Sequence, residues 1–291
     1  MAVGIGAALF LWFFERNSIL VNEYEKERTM NIQEQSKKAL WQAYGRDASR
    51  NGYVPALKDN LLAGVRIKDF EKDLESGSGK ELGGKILAIH SSSALVVNCF
   101  SRFKSEQGDF QMGTTKGSTL LAFERKLPTG LKGISPNLDV WVESKSGNLA
   151  IESKLLEYLS PKVPKFSASY ERLEPVTSNK QLWKLYRKTV GGKLGFLDRA
   201  QLIKHCFGIS ALMKAGGSAD LVYLYWEPKN AEKFAEFKRH RAEVAEFAKA
   251  LEGSSIRFIS MSYPELWSQW ERKAALKEHA AMLKARYEVT I

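Results

Sequence analysis

The sequence predicts an α/β fold in which a mixed central sheet is flanked by helices. Two short apolar runs, 138–143 and 149–155, are joined by the polar turn 144–148, which predicts an antiparallel hairpin of core strands. Further along, the strand-like runs 220–226 and 256–261 are separated by a helical pattern. Because a helix between two strands is the usual parallel crossover, we expect parallel pairing in this half of the sheet.

Before the hairpin, helix patterns alternate with turn signals, and Gly64 interrupts the second helix. Three consecutive serines, Ser91 to Ser93, supply N-cap candidates for the third. The predicted elements, in order, are a helix at 31–47, a turn at 51–52, a helix at 58–74, a flexible connection at 76–84, a helix at 94–103 and a strand at 119–126.

After the hairpin, prolines punctuate a loop-rich stretch, and Asp198 then provides an N-cap. The predicted elements are a short basic helix at 180–188, a helix at 198–213, a strand at 220–226, a helix at 231–251, a strand at 256–261 and a terminal helix at 264–284. We divide the chain into an apolar segment at 1–29, a helical region at 30–84 and a main domain at 85–291.

Composition is that of a protein with a full apolar core. The chain has 291 residues, of which 44% are hydrophobic, so no disulfide is needed for stability. Cys99 and Cys206 each lie in an apolar run, which predicts two separate buried thiols and fits a reducing, cytoplasmic setting. No Cys/His cluster has zinc spacing, and no glycine-rich nucleotide-binding loop is present, so we expect no nucleotide cofactor.

The first residues form an apolar run at 2–14 that is shorter than the roughly 20 residues a membrane-spanning helix needs. No basic residue precedes it, which disfavours a secretory signal. Three interpretations stay open: a membrane anchor, a packed helix, or translated upstream sequence with the true start at Met30. The soluble pattern that begins at Met30 favours the last. We expect membrane contact only if the segment is an anchor.

The net charge of +11 suggests a polyanionic partner. Within 160–205, ten Lys or Arg residues stand against three acids, with Trp183 and Tyr186 interleaved. This stretch is either a surface that binds the nucleic-acid backbone or a solvated basic face. The candidate contacts are Lys180, Lys184, Arg187, Lys188, Gln201 and Lys204.

The hairpin carries the candidate catalytic residues. Residues two apart on a strand share a face, so Glu152 and Lys154 point the same way, and Asp139 enters the partner strand. Mg²⁺ or Mn²⁺ prefers oxygen ligands such as the Asp139 and Glu152 carboxylates, with the Ser153 carbonyl as a further ligand. The ion would offset phosphate charge and acidify water, and Lys154 would position the nucleophile. Glu124 would add a supporting carboxylate.

The alternative for the same residues is a surface hairpin with an ordinary Glu–Lys pair. The apolar residues at 140–142 and 149–151 favour core strands instead. Gln201, Lys204 and His205 lie within about one helical turn of each other, so they can face the site together or simply form a polar helix surface.

The segments Pro136-Asn137-Leu138-Asp139 and Ile151-Glu152-Ser153-Lys154 resemble the signature of the PD-(D/E)xK nuclease superfamily, which has the restriction-endonuclease-like fold. Other segments resemble a bacterial restriction-endonuclease-like group within it: 90–98, Phe123-Glu124, 201–205 and 224–228. The resemblance covers about residues 85–270. The sequence departs from the motif at one point, because Asn137 directly follows Pro136 and the Asp comes two residues later.

This resemblance implies an αβββαβ core and a magnesium-dependent endodeoxyribonuclease that leaves a 5′-phosphate and a 3′-hydroxyl. It assigns Asp139 and Glu152 to the metal and Lys154 to the nucleophile. It also raises the possibility of a homodimer that cuts both strands. The alternatives are a catalytically inactive nucleic-acid-binding protein of the same fold, and a nuclease for RNA or branched DNA.

Overall fold

A five-stranded sheet forms the centre of the molecule. The computed structural model describes residues 30–45, 48–49, 51–77, 82–131, 135–176, 179–214 and 216–291. A two-stranded hairpin, which the sequence did not predict, precedes the sheet. The strands are β1 (Gln111–Met112) and β2 (Thr115–Lys116) in this hairpin, and β3 (Leu120–Lys126), β4 (Asn137–Glu143), β5 (Leu149–Lys154), β6 (Asp220–Tyr225) and β7 (Phe258–Ser262) in the sheet.

The sheet is mixed, and its strands lie in the order β3-β4-β5-β6-β7. β3, β4 and β5 pair antiparallel, with Val140 opposite Ile151. β5, β6 and β7 pair parallel, with Glu152 opposite Tyr223. The predicted α/β class, with a mixed sheet and an antiparallel hairpin at 138–155, is therefore confirmed.

Eight α-helices lie among the described residues, several of them preceded by short 3₁₀ turns. The helices are α1 (Ile32–Tyr44), α2 (Glu71–Ser76), α3 (Ser92–Phe100), α4 (Lys180–Thr189), α5 (Arg199–Lys214), α6 (Ala235–Leu251), α7 (Tyr263–Glu271) and α8 (Lys277–Tyr287). Two predicted caps are observed. Ser91 accepts a hydrogen bond from Ala94 N at the start of α3, and Asp198 accepts one from Gln201 N at the start of α5.

Helices cover both faces of the sheet. On the face of Glu152, His205 of α5 contacts Glu152, and His240 of α6 contacts Tyr223. On the opposite face, Ser153 Oγ lies 2.7 Å from the hydroxyl of Tyr263 in α7. Neighbouring residues of β5 therefore bond to helices on different faces, as the strand alternation predicts.

The first and last described helices pack together. Arg286 in α8 donates to the carbonyl oxygens of Leu40 and Ile89 and to Oδ1 of Asn60 at 3.1–3.3 Å. The same guanidinium lies 4.8 Å from the ring centre of Tyr44. The N-terminal helical region thus shares one core with the end of the chain, and Cys99 and Cys206 are buried free thiols in that core, as predicted.

Two predicted helices are wrong in detail. The expected helix at 58–74 is broken into the 3₁₀ turns Leu57–Asn60 and Ile67–Asp69 followed by α2. Asn98 explains part of the break, because its side chain accepts from Leu62 N and donates to the carbonyl of Asn60, which takes backbone groups that a helix would use. The expected terminal helix at 264–284 is two helices, α7 and α8, separated by a turn in which Leu276 is buried.

The predicted apolar segment at 1–29 lies outside the described residues. Within the part of the chain that the structure describes, we find no helix with the length and apolarity to cross a bilayer.

Gly208 allows α5 to approach the sheet closely. A Cβ atom at this position would lie 2.7 Å from Cβ of Leu127 and 3.1 Å from its carbonyl oxygen. Leu127 directly follows β3, and Gly208 is three residues from His205, about one helical turn. The lack of a side chain at Gly208 therefore determines how closely His205 approaches the sheet.

We expect Gly208→Ala to lower the free energy of unfolding by about 1–3 kcal/mol, because the added methyl group overpacks the contact with Leu127. Lys214→Ala, at the exposed end of the same helix, is the matched control and should change stability by less than about 0.5 kcal/mol. Urea unfolding followed by circular dichroism measures both. Equal stability of the two variants would show that α5 is not held at its closest approach.

Candidate active site

The centre of the candidate site is the buried carboxylate of Glu152. Only 1% of this residue is exposed, and both of its oxygens have partners. Oε1 accepts a hydrogen bond from Nζ of Lys154, and Oε2 lies 2.8 Å from Nε2 of His205. His205 is fully buried, and its Nδ1 has no hydrogen-bond partner. The tautomer with hydrogen on Nε2 satisfies this contact, because an ionised carboxylate only accepts.

Asp139 lies where the β4–β5 ladder ends. The last ladder pair is Val140 with Ile151, so Asp139 and Glu152 occupy the next position on each strand. Oδ2 of Asp139 accepts a hydrogen bond from the backbone N–H of Ser153 at 2.6 Å. A side chain thus replaces the next backbone bond of the ladder and fixes Asp139 beside Glu152 and Lys154.

Glu124 belongs to the same row of residues. Its neighbours Phe123 and Arg125 pair with Val140 and Leu138, the two residues that flank Asp139. Its φ of +49° is the only positive value at a non-glycine residue among those described. Asn137 Nδ2 donates to Oε2 of Glu124 at 3.1 Å. Backbone strain of this kind costs about 1–3 kcal/mol and clusters at functional sites, which fits the supporting role predicted for Glu124.

The pKa values show how the charges are balanced. Burial opposes the ionisation of Glu152, but the ammonium of Lys154 and the hydrogen bond from His205 lower its pKa to about 2. Burial also opposes the charge on Lys154, yet the carboxylates of Glu152 and Asp139 raise its pKa. Lys154 therefore remains an ammonium at neutral pH.

At Asp139, in contrast, burial and the surrounding charges together oppose ionisation. Burial, and next the negative charge of Glu152, raise the pKa of Asp139 well above its ordinary value, and Glu124 adds to the effect. The row of three carboxylates is thus short of positive charge, although Lys154 stands beside it. A divalent cation would supply that charge, and oxygen ligands are the ones that Mg²⁺ prefers.

The donor set suits a cation that keeps several waters. Within the described ranges, no group of three or more His, Cys, Asp or Glu side chains is arranged to hold a metal ion. Asp139 and Glu152 would therefore hold such an ion together with water and substrate oxygens, as Mg²⁺ sites commonly do. Each Glu152 oxygen has a second lone pair for this purpose.

A cavity of about 420 Å³ opens beside Asp139 and Glu124. Its other walls come from α1, from the segment around Tyr53, from the start of α3 and from the residues that follow β5. Asp139 and Glu124 are therefore accessible from this side, whereas Glu152 lies behind them and does not line the cavity.

A second cleft, of about 670 Å³, lies beyond Asn137 and has a basic lining. Gln201 and Lys204 of α5 line it together with Asn137, whose side chain bonds to Glu124. Lys162 and Lys165 from the loop after β5 add two more cations. We refer to this cleft as the basic groove.

The four candidate contacts on α4 do not line the basic groove. Lys180, Lys184, Arg187 and Lys188 are exposed, but Asn179 at the start of the helix bonds to Ser255, which precedes β7. The start of α4 therefore lies at the end of the parallel strands opposite to Lys154, whereas Lys188 in its last turn lines a separate cleft.

The aromatic residues of α4 are not a stacking surface. Tyr186 is buried, and its ring centre lies 4.7 Å from that of Trp183 and 5.7 Å from that of Phe207 in α5. Tyr186 is therefore part of the core, and the partly buried Trp183 packs against it.

Sequence reasoning did not identify the cavity walls. Tyr53, Lys37 and Lys85 lie 54 or more residues before Asp139 in the chain, and no motif links them to the hairpin, whereas His90 entered only as the first residue of the family-like segment 90–98. His205 was predicted only as a polar neighbour, and the Gln201–His205 spacing was the available signal. Its bond to Glu152, 53 residues away, depends on the packing of α5.

The family model REase-ARP, described as a restriction endonuclease associating with ARP, matches residues 24–288. The chain belongs to this restriction endonuclease family. The family's description places the chain in a nuclease group, and the mixed sheet flanked by helices is consistent with a restriction-endonuclease-like fold. Comparisons with curated proteins and with solved structures found no significant match.

We expect Glu152→Gln in this restriction endonuclease family member to lower the free energy of unfolding by about 3 kcal/mol, because it leaves the Lys154 ammonium without its charge partner in a buried setting. Glu143→Gln is the matched control. Glu143 is in the same sheet but forms an ion pair with Arg125 in which both side chains are 38% exposed, and such pairs contribute at most about 1 kcal/mol. Chemical denaturation compares the two, and an equal loss would argue against a buried charge centre.

We expect Asp139→Asn to stabilise the protein in the absence of divalent cations by about 1 kcal/mol near pH 8. The raised pKa means that the folded state binds a proton more tightly than the unfolded chain, so the wild type loses stability as the pH rises through the ordinary carboxyl range towards the pKa of Asp139. The neutral amide removes this loss and can still accept from Ser153 N.

The gain from Asp139→Asn should therefore shrink as the pH falls to about 4, where the wild-type carboxyl is also neutral. Thermal melts in EDTA at several pH values measure it. A variant that is less stable than the wild type at every pH would contradict the charge imbalance.

Proposed function

We propose that this protein is a divalent-metal-dependent nuclease of the PD-(D/E)xK type that hydrolyses DNA phosphodiester bonds with an activated water. The observation that carries the proposal is the meeting of Asp139, Glu152 and Lys154 at the end of one strand pair. Family membership supports nuclease chemistry in general, and the carboxylate row supports the dependence on Mg²⁺ or Mn²⁺.

Lys154 has an electrostatic part in this reaction. Its raised pKa keeps the amine protonated, so it does not accept the proton of the attacking water. With a side chain that is 13% exposed, it can donate hydrogen bonds to the water and to the oxygen on which negative charge develops. Glu152 and the strand fix its position.

The other residues hold the site in place. Asp139 and Glu152 would bind the cation, which when bound offsets phosphate charge and lowers the pKa of a water. His205 orients Glu152 through Oε2, and the backbone N–H of Ser153 orients Asp139 through Oδ2. The carbonyl of Ser153 remains a proposed additional ligand, and Glu124 a supporting carboxylate.

The basic groove is the proposed path for the DNA backbone. Lys162, Lys165 and Lys204 line it next to Asn137, which bonds to Glu124. Cations along such a groove bind phosphates without reading sequence.

We expect Asp139→Ala and Lys154→Ala to reduce cleavage at least 100-fold, because one removes a cation ligand and the other removes charge stabilisation in the transition state. The assay uses purified protein with Mg²⁺ or Mn²⁺ on plasmid, linear, single-stranded and branched DNA, and on RNA. Calorimetric titration with Mg²⁺ should show binding that Asp139→Ala abolishes.

Lys145→Ala, in the exposed turn of the same hairpin, is the matched control and should retain wild-type cleavage. Wild-type rates in Asp139→Ala or Lys154→Ala would reject the assignment. Failure of the folded wild type to bind Mg²⁺ would favour a binding protein without catalysis.

A further inference from the structure

The cavity beside the carboxylate row contains an exposed aromatic ring. Tyr53 is 43% exposed and lines the cavity that Asp139 and Glu124 also line. Large exposed apolar side chains are few among the described residues, and Tyr53 is the aromatic one that faces the candidate site. An aromatic face open to solvent is a platform on which any base can stack.

The backbone around Tyr53 is held firmly. Tyr53 forms an isolated antiparallel bridge with Ala88, and Val54 N donates to the carbonyl of Leu87 at 2.9 Å. The ring of His90 meets the Tyr53 ring edge to face, with 6.5 Å between the ring centres. The ring is exposed although its backbone is fixed, so little conformational freedom would be lost when a flat ligand stacks on it.

Polar groups surround the remaining space. Lys85 and Lys37, which also donates to Oε1 of Glu34 at 2.7 Å, are the cations of the lining, and Ser92 and Ser93 contribute hydroxyl groups. Against the two lysines stand three acids in the lining, Glu124, Asp139 and Glu157, so the cavity alone does not attract an anion. A divalent cation held by Asp139 would reverse this balance, so that a phosphate would be favourable at the carboxylate end.

The size of the cavity restricts what enters it. About 420 Å³ lies within the range of roughly 300–1,000 Å³ in which small molecules of nucleotide size bind. A base inside a duplex is paired and stacked, so its face is not available to Tyr53. A base that is already unpaired reaches the ring without the cost of unstacking.

We propose that this cavity binds one unpaired nucleotide of the substrate next to the scissile phosphate, with its base on Tyr53 and its phosphate near Lys37 and Lys85. This deepens the proposed nuclease function and rests on it. The substrate class is then DNA with a single-stranded end, flap or junction, whose backbone continues into the basic groove on the other side of the Asn137–Glu124 contact.

The test uses a duplex with a single-stranded arm that carries 2-aminopurine, and the same duplex with a blunt end and an internal 2-aminopurine. In Ca²⁺, which shares the oxygen-ligand preference of Mg²⁺, the wild type should quench the fluorescence of the armed substrate by stacking and leave the blunt one unchanged. In Mg²⁺, Tyr53→Ala should raise KM for the armed substrate about tenfold, the scale of losing one base–aromatic stack.

Tyr53→Phe keeps the ring and should behave as the wild type. Tyr53→Ile removes the ring but keeps a strand-forming residue at the bridge with Ala88, so it should match Tyr53→Ala even if the alanine variant folds poorly. Trp41→Ala is the matched control, because Trp41 is 39% exposed on α1 but does not line the cavity, and it should have no effect.

The outcomes separate the two proposals. Cleavage by the wild type that Tyr53→Ala and Tyr53→Ile leave unchanged, with no loss of quenching, overturns the nucleotide cavity and leaves the nuclease assignment intact. Equal quenching of blunt and armed substrates also overturns it. If the wild type cleaves no substrate yet quenches the armed one through Tyr53, the cavity proposal holds as a binding site and the catalytic proposal fails.

Discussion

The buried charge of Glu152 is the constraint on which the rest of the site depends. A carboxylate that is 1% exposed is tolerated in a core only with partners, and these come from two elements. Lys154 lies two residues later on the same strand. His205 lies 53 residues further along the chain and is positioned beside Glu152 by α5. The close approach of α5 at Gly208 brings His205 to Glu152. Lys154, at the end of the strand, keeps 13% of its side chain exposed.

The charge of Asp139 is less fully balanced by the protein than that of Glu152. Glu152 has its countercharges within the protein, but Asp139 is held by one backbone N–H in a region of negative charge. The two carboxylates are neighbours in register and chemically different because of this. One is a fixed part of the core, and the ionised form of the other is disfavoured, so that the proposed cation would restore stability on binding.

Much of the fold was predictable because it depends on local patterns. The apolar runs around Trp141 and Ile151 with a polar turn between them define a hairpin, and the spacing of Glu152 and Lys154 defines a shared face. The break at 58–74 was not predictable, since Asn98 competes for the backbone of Asn60 and Leu62 only in the folded chain. The strained backbone of Glu124 likewise has no local signal.

The candidate site was predictable to a smaller extent, and for the same reason. The spacing of Glu152 and Lys154 on one hairpin defines a shared face, whereas the positive charge of a surface helix does not indicate which end of the sheet the helix lies beside. Lys204 and Lys188 both belong to the basic stretch 160–205. The first lines the basic groove, and the second lines a different cleft with Arg239 and Glu243.

The contacts of Arg286 have a consequence for biosynthesis. This side chain, near the end of the sequence, binds backbone oxygens of Leu40 and Ile89, which belong to the segments that wall the cavity. A ribosome makes the hairpin with Asp139 and Glu152 long before it makes Arg286. The nascent polypeptide therefore carries its acidic residues before it carries the guanidinium that links these two wall segments.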